Sequence, residues 1–194
     1  MQFSDLDLSK TYSYADYLQW TFEDRLELIK GKIFKMTPAP APIHQRLSWR
    51  IAGELYNDLK NKPCQAYPAP FDVRLPRKGE NEDKKIFTVV QPDICIICDP
   101  SKVDTRGCTG APDIVLEILS PGNNQKELRN KYEVYEESGV KEYWIISPQD
   151  ESFLKYTLID GHYRPSKLMT IGDIITTPIL PGFELHLETV FEGI

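Results

Sequence analysis

Two runs of this 194-residue chain, VVQPDICIIC (89–98) and APDIVLEIL (111–119), are apolar on both faces. Runs of this kind suit central strands covered on both sides. Each nevertheless carries a carboxylate, Asp93 in the first and Glu117 in the second, and a third acid, Glu27, lies in the apolar-patterned RLELI. A carboxylate is costly to bury unless it is paired, hydrogen-bonded or bound to a cation. If the two strands are neighbours, Asp93 and Glu117 converge on one hard-cation site. Mg²⁺ suits such oxygen donors and keeps water positions that a phosphate can enter. The competing reading leaves both acids at strand ends, paired with helix N-termini or an arginine.

Around these runs the pattern predicts a mixed α/β domain with an antiparallel periphery over 1–194. A helix over 14–20 starts at Ser13, and 26–36 forms a hairpin about Lys30-Gly31. Pro38, Pro40 and Pro42 make TPAPAPIH a stiff extended lead. In the following helix, over 43–60, Leu47, Ile51, Leu55 and Leu59 recur every four residues, with Trp49, Ala52 and Tyr56 widening the apolar face. Strands are expected over 64–67 and 71–75, and PRKGENEDKK reads as a solvated loop. A helix over 124–138 ends at Gly139, VKEYWIIS forms a strand, and Asp160-Gly161 turns a hairpin. LPGFELHLE reads as a terminal strand.

The helix over 124–138 sets Leu128, Lys131, Tyr132 and Tyr135 on one side. Lys131 is read equally as an amine reaching the carboxylates, able to orient water or stabilise a phosphoryl oxygen, and as a lysine snorkelling at the rim. His44 opens the long helix, where an imidazole can meet a phosphate, a metal or water, or simply face solvent. Ser120 ends the Glu117 strand and can hydrogen-bond near the site. Asp113 reads as a turn acid, and Asp72 as a strand-end acid that can approach the same cleft.

Lys and Arg number 23 against 29 Asp and Glu, a net charge of −6. This argues against attachment to nucleic acid by overall charge and leaves room for a local basic groove. No apolar run reaches the roughly 18–20 residues of a membrane span, and the N-terminus lacks a secretory pattern, so a cytoplasmic protein without membrane association is expected. Cys95 and Cys98 point to opposite faces of a strand, and the four cysteines are read as reduced thiols. His162 and His186 have no companion at zinc-site spacing. HExxH, G-x-S-x-G, GxxxxGK[ST] and GxGxxG are all absent.

In the order RLELIKGKIFKMTPAPAPIHQRL, AYPAPFDVRLP, VVQPDICIICDPSKVDTRGCTGAPDIVLEILSP and KYEVYEESGVKEYWIISP, the chain resembles the Uma-type endonuclease family across about 12–188. That family is similar to the PD-(D/E)XK, or restriction-endonuclease-like, superfamily. The resemblance implies one nuclease domain with an αβββαβ core, a mixed central sheet flanked by helices, and Mg²⁺-dependent phosphodiester hydrolysis, with Mn²⁺ able to substitute and DNA as substrate. Pro92-Asp93 would be the PD element, Glu117 the second acid and Glu27 an additional metal ligand. Leu119 stands where the superfamily has its lysine, so the amine is expected from the next helix; Lys131 fits, with Lys126 as competitor. Gln91 and His44 resemble accessory site positions. A homodimer is expected on general grounds, its surface drawn from a tyrosine-rich periphery that includes Phe183-Glu184-Leu185. The alternative to an enzyme is a nucleic-acid-binding or structural homo-oligomer that keeps the fold without turnover.

Overall fold

The protein was analysed as a computed structural model, which describes residues 3–36, 41–77, 79–120 and 125–194, with side chains omitted at 125–127. Pro38, Pro40, Asn124 and the side chain of Lys126 lie outside the described residues.

Helices α1 (Tyr14–Tyr17), α2 (Pro42–Leu59), α3 (Gln125–Ser138) and α4 (Leu187–Phe191) accompany fifteen described strands. In chain order these are β1 (Leu26–Ile29), β2 (Lys32–Lys35), β3 (Gln65–Pro68), β4 (Val73–Arg74), β5 (Val89–Val90), β6 (Ile94–Ile97), β7 (Val103–Asp104), β8 (Gly107–Thr109), β9 (Ile114–Ile118), β10 (Glu142–Ser147), β11 (Ser152–Ile159), β12 (His162–Pro165), β13 (Met169–Thr170), β14 (Ile174–Ile175) and β15 (Leu185–His186). One sheet runs β2-β1-β5-β4-β8-β7. A second runs β12-β11-β10-β9-β6-β3, with β13 joined to β11, and β14 pairs β15 separately.

The apolar runs 89–98 and 111–119 supply the neighbouring central strands β6 and β9, which pair antiparallel through Ile94–Leu116 and Ile96–Ile114; β10 then lies parallel to β9. The first run serves both sheets. Val89 and Val90 belong to one and Ile94–Ile97 to the other, and Gln91-Pro92-Asp93 joins them. Pro92 has no amide hydrogen to continue a ladder, which accounts for the break.

Alternation along the strands directs the core. Ile94, Ile96, Ile114, Leu116, Ile118, Trp144 and Ile146 pack with Leu47, Ile51, Leu55 and Leu59 of α2 and with α4. Cys95, Ile97, Val115 and Tyr143 turn the other way, onto Val134 and Tyr135 of α3 and onto Val73 and Val90 of the first sheet. Pro42 at the first turn of α2 suits a position where the helix needs no amide donor. At the β1–β2 turn, Lys30 and Gly31 both have positive φ (52° and 78°), and a Cβ on Gly31 would collide with Thr11.

Several expectations are corrected. Cys64 and Cys98 form a disulfide rather than two thiols, because the Gln65–Ile97 pairing brings the flanking cysteines opposite each other; Cys95 and Cys108 are free and buried. The first helix stops at Tyr17, and the 71–75 run yields only the two-residue β4. The terminal run gives β15 and then α4, not one strand. Phe183 and Leu185 lie in the monomer's core and are unavailable as a dimer surface. Trp49 and Tyr56, by contrast, are 82% and 67% exposed, since α2 buries its Leu/Ile stripe and His44 and turns these two rings outward. No described helix is long and apolar enough to cross a membrane.

Candidate functional site

Strand alternation turns Glu117 to the same face as Val115, towards α3, while Glu27 enters from β1 of the other sheet. On α3, Lys131 lies one turn before Tyr135, so both reach the end of β9. The Lys131 Nζ sits 3.0 Å from Glu117 Oε1 and 3.1 Å from Glu27 Oε1, and all three side chains are buried. The rim reading of Lys131 therefore gives way to the inward one. Tyr135 Oη donates to Glu117 Oε1 at 2.8 Å, and the Gln91 backbone N–H donates to Glu27 Oε1 at 2.8 Å.

Asp93 is one register step beyond the Ile94–Leu116 pair, which sets it beside Glu117. Its Oδ2 accepts from the Ile118 amide at 2.7 Å and meets His44 Nε2 at 3.2 Å. An ionised carboxylate only accepts, so Nε2 carries the proton in this contact.

The three acids thus share one arrangement. Each holds one oxygen against two donors, and among the described residues no hydrogen bond reaches the second. At Glu27 that second oxygen, Oε2, is fully buried, as is His44 Nδ1. A buried carboxylate oxygen without a donor is expensive.

Charge is also unbalanced here, with one ammonium among three carboxylates. Burial pushes the Glu117 carboxyl up to about 8; the Lys131 charge pulls it down, while Asp93 and Glu27 add to the rise. Burial opposes the Lys131 ammonium, but Glu117 and Glu27 overcome it and hold its pKa well above the lysine value. Burial likewise works against a charged His44, yet the hydrogen bond and charge of Asp93 prevail and raise its pKa.

Gln91 ties a further polar group to this centre. Arg25 donates to its side-chain oxygen at 2.7 and 3.2 Å, and its Nε2 donates to Asp72 Oδ1 at 2.8 Å. Asp72 accordingly borders the site through Gln91. Asp113 is structural: it accepts from the Cys98 amide and from Lys141 Nζ. Arg25 and Tyr135 were not among the sequence-derived site residues. Tyr135 lay on the Lys131 stripe but read as core, and nothing local marked Arg25.

Among the described residues, no three His, Cys, Asp or Glu side chains form a ready-made metal cluster. The donor set nonetheless fits Mg²⁺, which is commonly held by one or two carboxylates with water and phosphate completing its shell. The orphaned Glu27 Oε2 is an observation of the same kind.

Mixed sheets flanked by helices, with acids at one end of paired strands, define a restriction-endonuclease-like α/β protein of the PD-(D/E)XK class. Residues 14–188 match the model of the Uma2 family, described as "Putative restriction endonuclease", and the chain belongs to that family. It is 22% identical to an uncharacterized protein of Synechocystis sp. over 191 residues, covering 94% of this chain and 92% of the relative. Its fold is similar to the crystal structure of "a putative nuclease belonging to DUF820" from Anabaena variabilis, with a TM-score of 0.72 and 18% identity, covering 93% of this chain and 97% of that one.

Proposed function

We propose that the chain is a divalent-metal-dependent endonuclease that hydrolyses phosphodiester bonds in DNA. The observation that carries this reading is the shared arrangement of Asp93, Glu117 and Glu27, each anchored through one oxygen, with the buried ammonium of Lys131 shared by Glu117 and Glu27. Asp93 and Glu117, with Glu27, would hold Mg²⁺ or Mn²⁺. Such an ion polarises a phosphoryl oxygen, lowers the pKa of water and offsets charge on the leaving oxygen. Lys131 would position the attacking water or stabilise charge on the phosphate. His44 orients Asp93, and Gln91 orients Glu27 through its amide and links it to Arg25. The proposal treats 1–194 as one nuclease unit working as a homodimer, since two copies supply one site for each strand of a duplex.

The test is incubation of the purified chain with supercoiled plasmid, single-stranded DNA and RNA, each with Mg²⁺, with Mn²⁺ or with EDTA. Metal-dependent conversion of plasmid to nicked and linear forms is expected, with none in EDTA and none from Asp93→Asn. Ion binding without cleavage of any of these substrates would favour the turnover-free binding protein. Cleavage of RNA alone would reassign the substrate.

A further inference from the structure

The anchoring of Glu117 depends on a group outside the catalytic set. Its Oε1 takes two donors, Lys131 Nζ at 3.0 Å and Tyr135 Oη at 2.8 Å. The two donors are unlike. Lys131 divides its ammonium between Glu117 and Glu27, on a flexible four-carbon stem. It can follow either carboxylate and so cannot by itself fix one. Tyr135 is wholly buried, and its ring packs edge-on to Tyr143 at 5.1 Å between centroids. Behind them Tyr143 stacks on Tyr156, and Tyr132 meets Tyr156 and Tyr163 edge-on. This layer removes the freedom of the Tyr135 ring, so the direction of its O–H is set by packing.

We propose that Tyr135 is a positioning residue for the metal site: with Lys131 it pins Glu117 through Oε1, so that Oε2 is the oxygen presented to a divalent cation. The inference rests on the metal-dependent reading above and adds a residue to it. Donors to a ligating carboxylate fix its rotation, and losing one commonly weakens metal affinity 10- to 100-fold. Tyr143 provides an internal control, because its buried hydroxyl has no hydrogen-bond partner.

The experiment titrates Mn²⁺ into the full chain, by calorimetry and by loss of the free-ion electron paramagnetic resonance signal. Parent, Tyr135→Phe and Tyr143→Phe proteins are compared. Tyr135→Phe keeps the ring and is expected to bind the same number of ions with about 10- to 100-fold weaker affinity. Tyr143→Phe should match the parent. On plasmid, the Mn²⁺ concentration giving half-maximal cleavage by Tyr135→Phe should rise by the same factor, while the rate at saturating Mn²⁺ falls much less. A purely structural role would lower the melting temperature in EDTA and leave the affinity of the folded protein unchanged. Equal affinity in parent and Tyr135→Phe overturns this inference and leaves the metal-dependent reading standing. A parent protein that binds no Mn²⁺ overturns both. If Tyr135→Phe does not fold, 4-fluorophenylalanine placed at 135 keeps the ring and fills the space of the hydroxyl without a proton to donate; an affinity identical to the parent's would then overturn the inference.

Discussion

Asp93 and Glu117 are neighbours across one antiparallel ladder, and the strand of one acid steadies the other: the amide of Ile118, next after Glu117, donates to Asp93 Oδ2 at 2.7 Å. Their spacing is therefore set by β-pairing and not by side-chain reach. The ammonium of Lys131 then bridges Glu117 to Glu27, at 3.0 and 3.1 Å.

Lys131 is the first point to test. Lys131→Met leaves Glu27 and Glu117 buried without their shared ammonium, which should destabilise the metal-free protein by about 3–5 kcal/mol. Turnover on a plasmid that the parent cuts should fall by a factor of about 10² or more. Mg²⁺ should raise the melting temperature of the variant more than that of the parent, because the ion replaces the missing charge. Thermal melts with and without Mg²⁺, beside nicking rates, check all three.

Asp72 gives a prediction with a defined pH sign. Burial holds its carboxyl above the ordinary 3.8, with Gln91, Arg74 and Arg25 partly opposing. The folded protein keeps this proton to higher pH than the unfolded chain, so this group's contribution to stability falls as pH rises above that ordinary value. Asp72→Asn removes the cost and retains an oxygen for Gln91 Nε2. The variant should melt above the parent at about pH 7, and the difference should narrow towards about pH 4.

The thiols are predicted by burial. Cys95 and Cys108 are fully buried, and burial raises both thiol pKa values, that of Cys108 to about 11. A thiol kept protonated and covered is a poor nucleophile. Iodoacetamide at about pH 8 should label neither in the native protein and both in guanidinium, as read by mass.

The Cys64–Cys98 bond closes a loop across a sequence separation of 34. Chain entropy then predicts a loss of about 3–4 kcal/mol in the Cys64→Ala/Cys98→Ala double variant. Guanidinium unfolding should show a lower midpoint and a somewhat steeper slope, because the uncrosslinked chain exposes more surface when it unfolds.

The central strands were legible because apolar residues on both faces leave few alternatives, and the acids stood out against that background. Lys131 was legible as a position on a stripe, although periodicity could not say whether it reached inward. Tyr135 shared the stripe and was hidden by it, since an aromatic on an apolar face reads as packing until its hydroxyl is seen on Glu117. The division of VVQPDICIIC between two sheets escaped because only the three residues Gln91-Pro92-Asp93 interrupt the run. The disulfide escaped because it follows from the β3–β6 register, which no local pattern contains. Trp49 and Tyr56 were misplaced because a four-residue stripe already fills the space that α2 covers.

The join at Gln91-Pro92-Asp93 has a consequence for the life of the chain. Glu27 belongs to one sheet and Glu117 to the other, and Lys131 can meet both only after the two sheets have come together. A half-made chain on the ribosome, or a fragment left by a protease, carries at most part of this donor set. Whatever chemistry this donor set supports is therefore withheld until synthesis and folding are finished.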